Sequence, residues 1–216
     1  MQRNRAFLAK ARPMSGKTAR DGKSGRPRGF DEGAALEAAM RVFWAKSYEG
    51  ATMADLSKAM GINRSSMYAA FGDKAALYRS ALARYREGPM SYIRDALARR
   101  TVREVIEGLV NGTVEFLATP GNPAGCLSIQ GALACGTGAE RIQRATAAWR
   151  TGGEAAIAKR LQQARKEGGL GASTKAADLA RYVSMVMAGL GVQAANGATK
   201  SEMKRIAAMA LRYMGY

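Results

Sequence analysis

Between Thr52 and Asp73 the chain has room for two helices of about two turns each and almost nothing else. Thr52 is an N-cap residue with Asp55 three positions on, a box-like start, and Leu56, Ala59 and Met60 then fall on one side. Gly61 stops this helix, and only Ile62 and Asn63 separate it from a second in which Met67 and Phe71 stand at i and i+4 before Gly72. Two short helices joined through a three-residue, Gly-containing turn are the signature of a helix-turn-helix. Their flanks agree. Asp31 caps a first helix carrying Leu36, Met40, Phe43 and Trp44 and ending near Ser47 to Gly50, and Asp73 caps a fourth carrying Leu77, Ala81, Leu82 and Tyr85 up to Gly88-Pro89. No run of alternating β-branched and polar residues follows, so the expected fold class is all-α.

The segment over 25–82, most sharply TMADL at 52–56 and GINRSSMYAAFGDKAAL at 61–77, resembles the N-terminal DNA-binding domain of the TetR/AcrR family of bacterial transcriptional regulators. Thr52, Gly61, Tyr68, Phe71, Lys74 and Leu77 match that family's pattern position by position, over roughly a quarter of the chain in detail. The sequence departs from the pattern at Ala69 and Ala70, where many members carry large polar or aromatic residues, which reduces contacts there to methyl groups.

A recognition helix presents its N-terminal residues to base edges in the major groove, which makes Arg64, Ser65 and Ser66 the candidates for readout, Arg64 being able to pair bidentately with guanine. Thr52, Tyr68 and Lys74 suit phosphate contacts that fix register. Arg26 and Arg28 in Gly25-Arg26-Pro27-Arg28 could lie in a narrow minor groove. An ordinary solvated helix face is the alternative for Tyr68 and Ser66, and a chance basic stretch for the arginines.

Three regions are expected: a disordered basic arm over 1–29, the helix-turn-helix domain over 30–72, and a helical effector-binding and dimerisation domain over 73–216. In the last, Thr101 and Glu104 form a capping box ahead of Val102, Val105, Ile106, Leu109, Val110, Val114 and Leu117, and the helix stops before Pro120. Further helices are expected over 139–167, with Ile142, Ala145, Trp149, Ala156 and Leu161 inward, and over 174–195 and 201–213, about nine helices in all. The last two carry Val183, Val186, Met187 and Leu190, then Met203, Ile206, Ala210 and Tyr213, with Gly189 and Gly191 thinning the surface. Periodicity alone allows these to pack inside one chain; the family resemblance implies a four-helix bundle between two copies. Tyr92, Phe116, Leu117, Leu127, Ile129 and Trp149 are candidate walls of an effector pocket, or simply core.

Cys126 and Cys135, nine residues apart, would be about 13.5 Å apart along one helix and on opposite faces, so an intrachain disulfide is not expected. Cys126 follows Pro123-Ala-Gly125 at a loop-to-helix junction where a thiol is activated. The Gly-Cys-Leu triplet is similar to that of some family members, a few of which sense electrophiles or oxidants nearby. A buried inert cysteine is the alternative.

Composition limits the rest. With no histidine, catalysis on a His base, His-ligated metal and imidazole pH sensing are excluded. No catalytic residue, cofactor or metal site is expected, and Gly189-Leu-Gly191-Val-Gln-Ala194 matches a dinucleotide fingerprint only in letters because no strand precedes it. The net charge of +17 points to a polyanion, and nine Lys/Arg against one acid sit in residues 1–29. Neither a signal peptide nor a membrane span is expected, since the longest apolar run, over 182–195, is broken by Ser184, two glycines and Gln193. The reading is a cytoplasmic, homodimeric repressor that binds double-stranded operator DNA and is released by a small apolar or aromatic effector. A cysteine-based electrophile or redox sensor, a helical enzyme and a non-specific architectural DNA protein are the alternatives.

Overall fold

Caps and stops set the ends of the helices. A computed structural model describes residues 29–133, 136, 138–171 and 173–215, and among these it has ten α-helices and no strand. They are α1 (Glu32–Gly50), α2 (Met53–Met60), α3 (Arg64–Phe71), α4 (Lys74–Glu87), α5 (Ser91–Leu97), α6 (Val102–Leu117), α7 (Leu127–Gln130), α8 (Glu140–Lys166), α9 (Ala176–Ala195) and α10 (Lys200–Tyr213). The count exceeds the expected nine by one: the sequence places a helix start at Cys126, where α7 begins, but gives no sign of α5, which has seven residues and no side-chain cap. Asp31, Thr52, Asn63, Asp73 and Thr101 each cap the helix that follows with a side-chain oxygen, and Thr52–Asp55, Thr101–Glu104 and Thr199–Glu202 are complete capping boxes. Gly61 ends α2 in the left-handed region at φ 66°.

α1 packs on α2 and α4 and buries Ala39, Met40, Phe43 and Trp44. Its path breaks at Ser47 (φ 60°, ψ 177°), a left-handed conformation that costs about 1–3 kcal/mol for a residue with a Cβ. The Tyr48 N–H turned out by the break donates to the Gly131 carbonyl at 2.8 Å. That contact belongs to a core which does not stop at the helix-turn-helix: Phe116, Cys126, Leu127, Ala132 and Ile142 join Trp44, Tyr78 and Tyr85 in one cluster. A second cluster gathers α6, α8, α9 and α10 around Ile106, Leu109, Leu161, Val183 and Met203.

One expectation for α8 is corrected. Ala156 is exposed and Ile157 is buried in its place, because the inner face follows Ile142, Thr146, Ile157, Leu161 and Ala164 at helical period rather than every apolar residue.

Candidate nucleic-acid interface and adjoining cavity

α3 has one buried residue, Met67, which pins it to the core. Arg64 and Ser65 are exposed, Ser66 half-buried and Tyr68 49% exposed, so the N-terminal turn of the helix is open to a ligand. Asn63 holds that turn: its Oδ1 accepts from Ser66 N–H at 2.8 Å and from the Ser65 hydroxyl at 2.7 Å. The Ser65 hydroxyl is therefore already committed to the cap, leaving Arg64 the freer donor of the two. The turn before α3 is tied by the Ser57 hydroxyl, which donates to the Ile62 carbonyl.

Lys46 and Tyr48, which the sequence did not single out, shape the surroundings of two proposed phosphate contacts. Lys46 Nζ lies 2.7 Å from Asp55 Oδ1, and Thr52 Oγ1 donates to Asp55 Oδ2 at 2.7 Å. The Lys46 bond, and after it the bonds from Thr52, hold the Asp55 carboxyl well below its usual range. The Thr52 side chain is thus spent on its own helix. Lys74 Nζ stands 4.6 Å over the Tyr48 ring, a cation–π contact that leaves it beside α3 at the start of α4. Residues 1–28, including Arg26 and Arg28, lie outside the described structure.

Behind this unit a cavity of about 450 Å³ opens between α5, α6, α7, α8 and α9. Tyr92, Phe116, Leu117, Ile129 and Trp149 line it, as do Met90, Ile93, Thr113, Ser128, Arg150, Glu154 and Arg181. Leu127 does not: it is fully buried in the core. Thr113 donates to the Leu109 carbonyl at 2.8 Å, so the Tyr92 hydroxyl, 3.0 Å away, is the donor to Thr113 Oγ1. Burial pushes the Tyr92 phenol above its usual range. The wall is continuous with α1 through rings: Tyr92 stacks on Phe116 (5.8 Å), Phe116 on Trp44 (5.5 Å), and Tyr85 meets both Trp44 and Trp149. Trp44 Nε1 in turn donates to the Gly125 carbonyl at 3.1 Å.

Cys126 also faces the cavity, 7% exposed, as the residue before α7. Its Sγ accepts from the Tyr85 hydroxyl at 3.2 Å and lies 3.1 Å from Ser128 Oγ, while Leu127 N–H donates to Tyr85 Oη. Burial foremost, with Cys126 beside it, raises the Tyr85 phenol well above its usual range. Cys135 lies outside the described residues. Trp149 Nε1 is sealed from solvent without an acceptor among the described residues.

The family profile described as "Bacterial regulatory proteins, tetR family" matches residues 35–81, the span from α1 into α4. A solved structure of a cysteine-substituted form of the TetR family regulator CifR, in complex with a 26-bp operator duplex, superposes with a TM-score of 0.83 at 37% identity, over 87% of this chain and 98% of that one. The chain belongs to the TetR family of transcriptional regulators. It is also 26% identical over 190 residues to the HTH-type transcriptional repressor ComR of Escherichia coli, covering 87% of this chain and 90% of that protein. The reduced form of E. coli NemR shares the fold (TM-score 0.70, 18% identity, 82% of this chain and 93% of that one). The protein is thus a DNA-binding transcriptional regulator, and α2–α3 is its helix-turn-helix.

In this TetR family regulator the apolar stripes of α9 and α10 divide into two faces. Val183, Leu190, Met203 and Ala210 are buried within the protomer, and Val186 and Met187 pack partly against the same core. Of the residues read from the sequence as dimer contacts, Ile206 (51% exposed) and Tyr213 (84%) face outward. Tyr182, Met185, Val192 and Met209 are exposed as well and were not among those residues, since a stripe in sequence does not say which side a neighbouring helix takes. Gly191 serves the interior, where a Cβ would stand 3.3 Å from that of Cys126, whereas Gly189 meets nothing within 4 Å. Among the described residues no helix is long and apolar enough to cross a membrane, and no cluster of three acids or cysteines could hold a metal ion.

Proposed function

We propose that this TetR family regulator is a homodimeric repressor that places α3 in successive major grooves of a palindromic operator and is released when an apolar or aromatic molecule occupies the cavity bounded by Tyr92, Phe116 and Trp149. The observation that carries the reading is the shared packing of cavity and DNA-binding unit: Phe116 stacks on Trp44 of α1, and α1 reaches across to the α7 end through Tyr48 and Gly131. An effector that favours one arrangement of these rings shifts the spacing of the two recognition helices. The operator complex of CifR and the repressor name of ComR support the repressor sense. In the complex, Arg64 and Ser66 read base edges, Tyr68 and Lys74 position the phosphates, and the exposed face of Tyr182, Met185, Ile206, Met209 and Tyr213 meets its copy.

The test is selection of bound duplex from a random pool, followed by anisotropy titrations of the selected and a random duplex at several salt concentrations. A strong preference for a palindrome, with a steep salt slope, is expected. Equal binding to both duplexes would leave an architectural protein, and no binding would sink the reading.

A second reading follows from Cys126. Its sulfur faces the same cavity and holds hydroxyl neighbours in Tyr85 and Ser128, so an electrophile entering there meets a thiol. On this reading Cys126→Ser abolishes the response to an alkylating effector while Cys135→Ser leaves it intact, and equal slow alkylation of both sulfurs would discard it.

A further inference from the structure

The cavity wall is mostly apolar, its charged side chains come from α8 and α9 in one sector, and that sector is unevenly charged. Arg150 and Glu154 on α8 and Arg181 on α9 line it together. Arg181 Nε lies 3.1 Å from Glu154 Oε1, which uses the sector's one carboxylate among the described residues. Arg150 is half-buried, and no carboxylate of a described residue lies within 4.0 Å of its guanidinium. One of its nitrogens donates to the Ser128 carbonyl at 2.7 Å. A guanidinium offers five N–H donors in a rigid fork, and among the described residues one bond, to the Ser128 carbonyl, is made. Withdrawing a cation partly from water without a counter-ion is unfavourable unless something anionic joins it.

We infer that the effector is an amphipathic acid whose apolar body lies against Phe116, Tyr92 and Ile93 and whose carboxylate pairs with Arg150. The inference rests on the cavity reading above and adds the head group that apolar walls alone do not specify. It also gives the head group a route to the switch, because the Arg150 that captures it holds Ser128 on α7, the turn whose end bonds Tyr48 of α1.

The probes are decanoate and decan-1-ol, which share a chain and differ in charge, titrated calorimetrically into the full chain at pH 8. Decanoate should bind at least about tenfold more tightly, the usual margin of a charge-assisted hydrogen bond. Arg150→Met should remove that margin and leave decan-1-ol binding unchanged. Arg141→Met, the same charge loss at an exposed position of α8, should keep it. Should Arg150→Met fail to fold by circular dichroism, Glu154→Gln decides instead: freeing Arg181 from its partner should strengthen decanoate binding severalfold with no change for the alcohol. Equal affinities in the wild type, a margin that survives Arg150→Met, a margin lost equally in Arg141→Met, or, where Arg150→Met does not fold, no gain in Glu154→Gln would overturn the acid. In those cases binding of decan-1-ol still leaves the cavity as an effector site, whereas binding of neither probe overturns both readings.

Discussion

The surface of α2–α3 and the surface of α9–α10 are built on opposite plans. In α2–α3 the caps are side-chain hydrogen bonds from Thr52, Asp55 and Asn63, only Leu56, Met60 and Met67 are buried, and the exposed remainder is polar or small apart from Tyr68. In α9–α10 the exposed positions include Tyr182, Met185, Ile206, Met209 and Tyr213, side chains that water does not favour. The first surface is finished within one chain and waits for a polar, charged partner. The second remains apolar at full folding, which a second protomer would relieve. The contrast teaches that helices of one chain take different roles according to which side the core claims.

The largest effect is expected where neither surface is involved. Trp44→Ala removes a fully buried indole that touches Tyr85 and Phe116, and should cost about 3–5 kcal/mol in denaturant unfolding. A loss under 1 kcal/mol would deny that α1 and the cavity share a core.

The two faces of the last helices can be separated directly. Leu190→Ala, within the protomer core, should destabilise folding by about 2–5 kcal/mol. Met209→Glu on the outer face should leave the unfolding of the protomer within about 0.5 kcal/mol yet give a monomer in analytical ultracentrifugation. A dimer that survives Met209→Glu together with Ile206→Glu would place the interface elsewhere.

On the other surface, Arg64→Ala should cost about 1–3 kcal/mol concentrated at one base position of the operator. Tyr68→Phe and Lys74→Ala should weaken all sequences alike, each lowering the salt slope by about one. Base-specific losses from Lys74→Ala would exchange the two roles.

The smallest effect is electrostatic. Asp55 has its carboxyl lowered from 3.8 chiefly by Lys46, so the stability it adds is present in full above that value and fades as pH falls below it. Wild type should therefore lose more of its melting temperature than Asp55→Asn between pH 5 and about pH 3. Parallel acid profiles would mean that the Lys46 pair contributes nothing.

How much of this could be read from residues alone follows the range of each interaction. Thr52 with Asp55, Asn63 with Ser66 and Asp73 with Ala76 are contacts between residues three apart, and the sequence predicted the corresponding helix starts. Ile157 in place of Ala156 shows the limit even along one helix: apolar identity was a weaker guide than phase. Lys74 over Tyr48, Lys46 on Asp55 and Arg150 on the Ser128 carbonyl left no trace in spacing, because each joins residues of different helices.

The sequence by itself determined that this chain is helical, that a helix-turn-helix lies at 52–72, and which residues stand first on its second helix, since caps, glycine stops and a 3.6-residue period act within one or two turns. Only the tertiary structure decided that Leu127 is core while Ile129 and Cys126 face a cavity, that no carboxylate of a described residue lies within 4.0 Å of the Arg150 guanidinium, and that Val183 packs inward while Met185 faces out. The physical reason is the same each time: a helix presents several faces, and which one is buried depends on the helices that the rest of the chain brings against it.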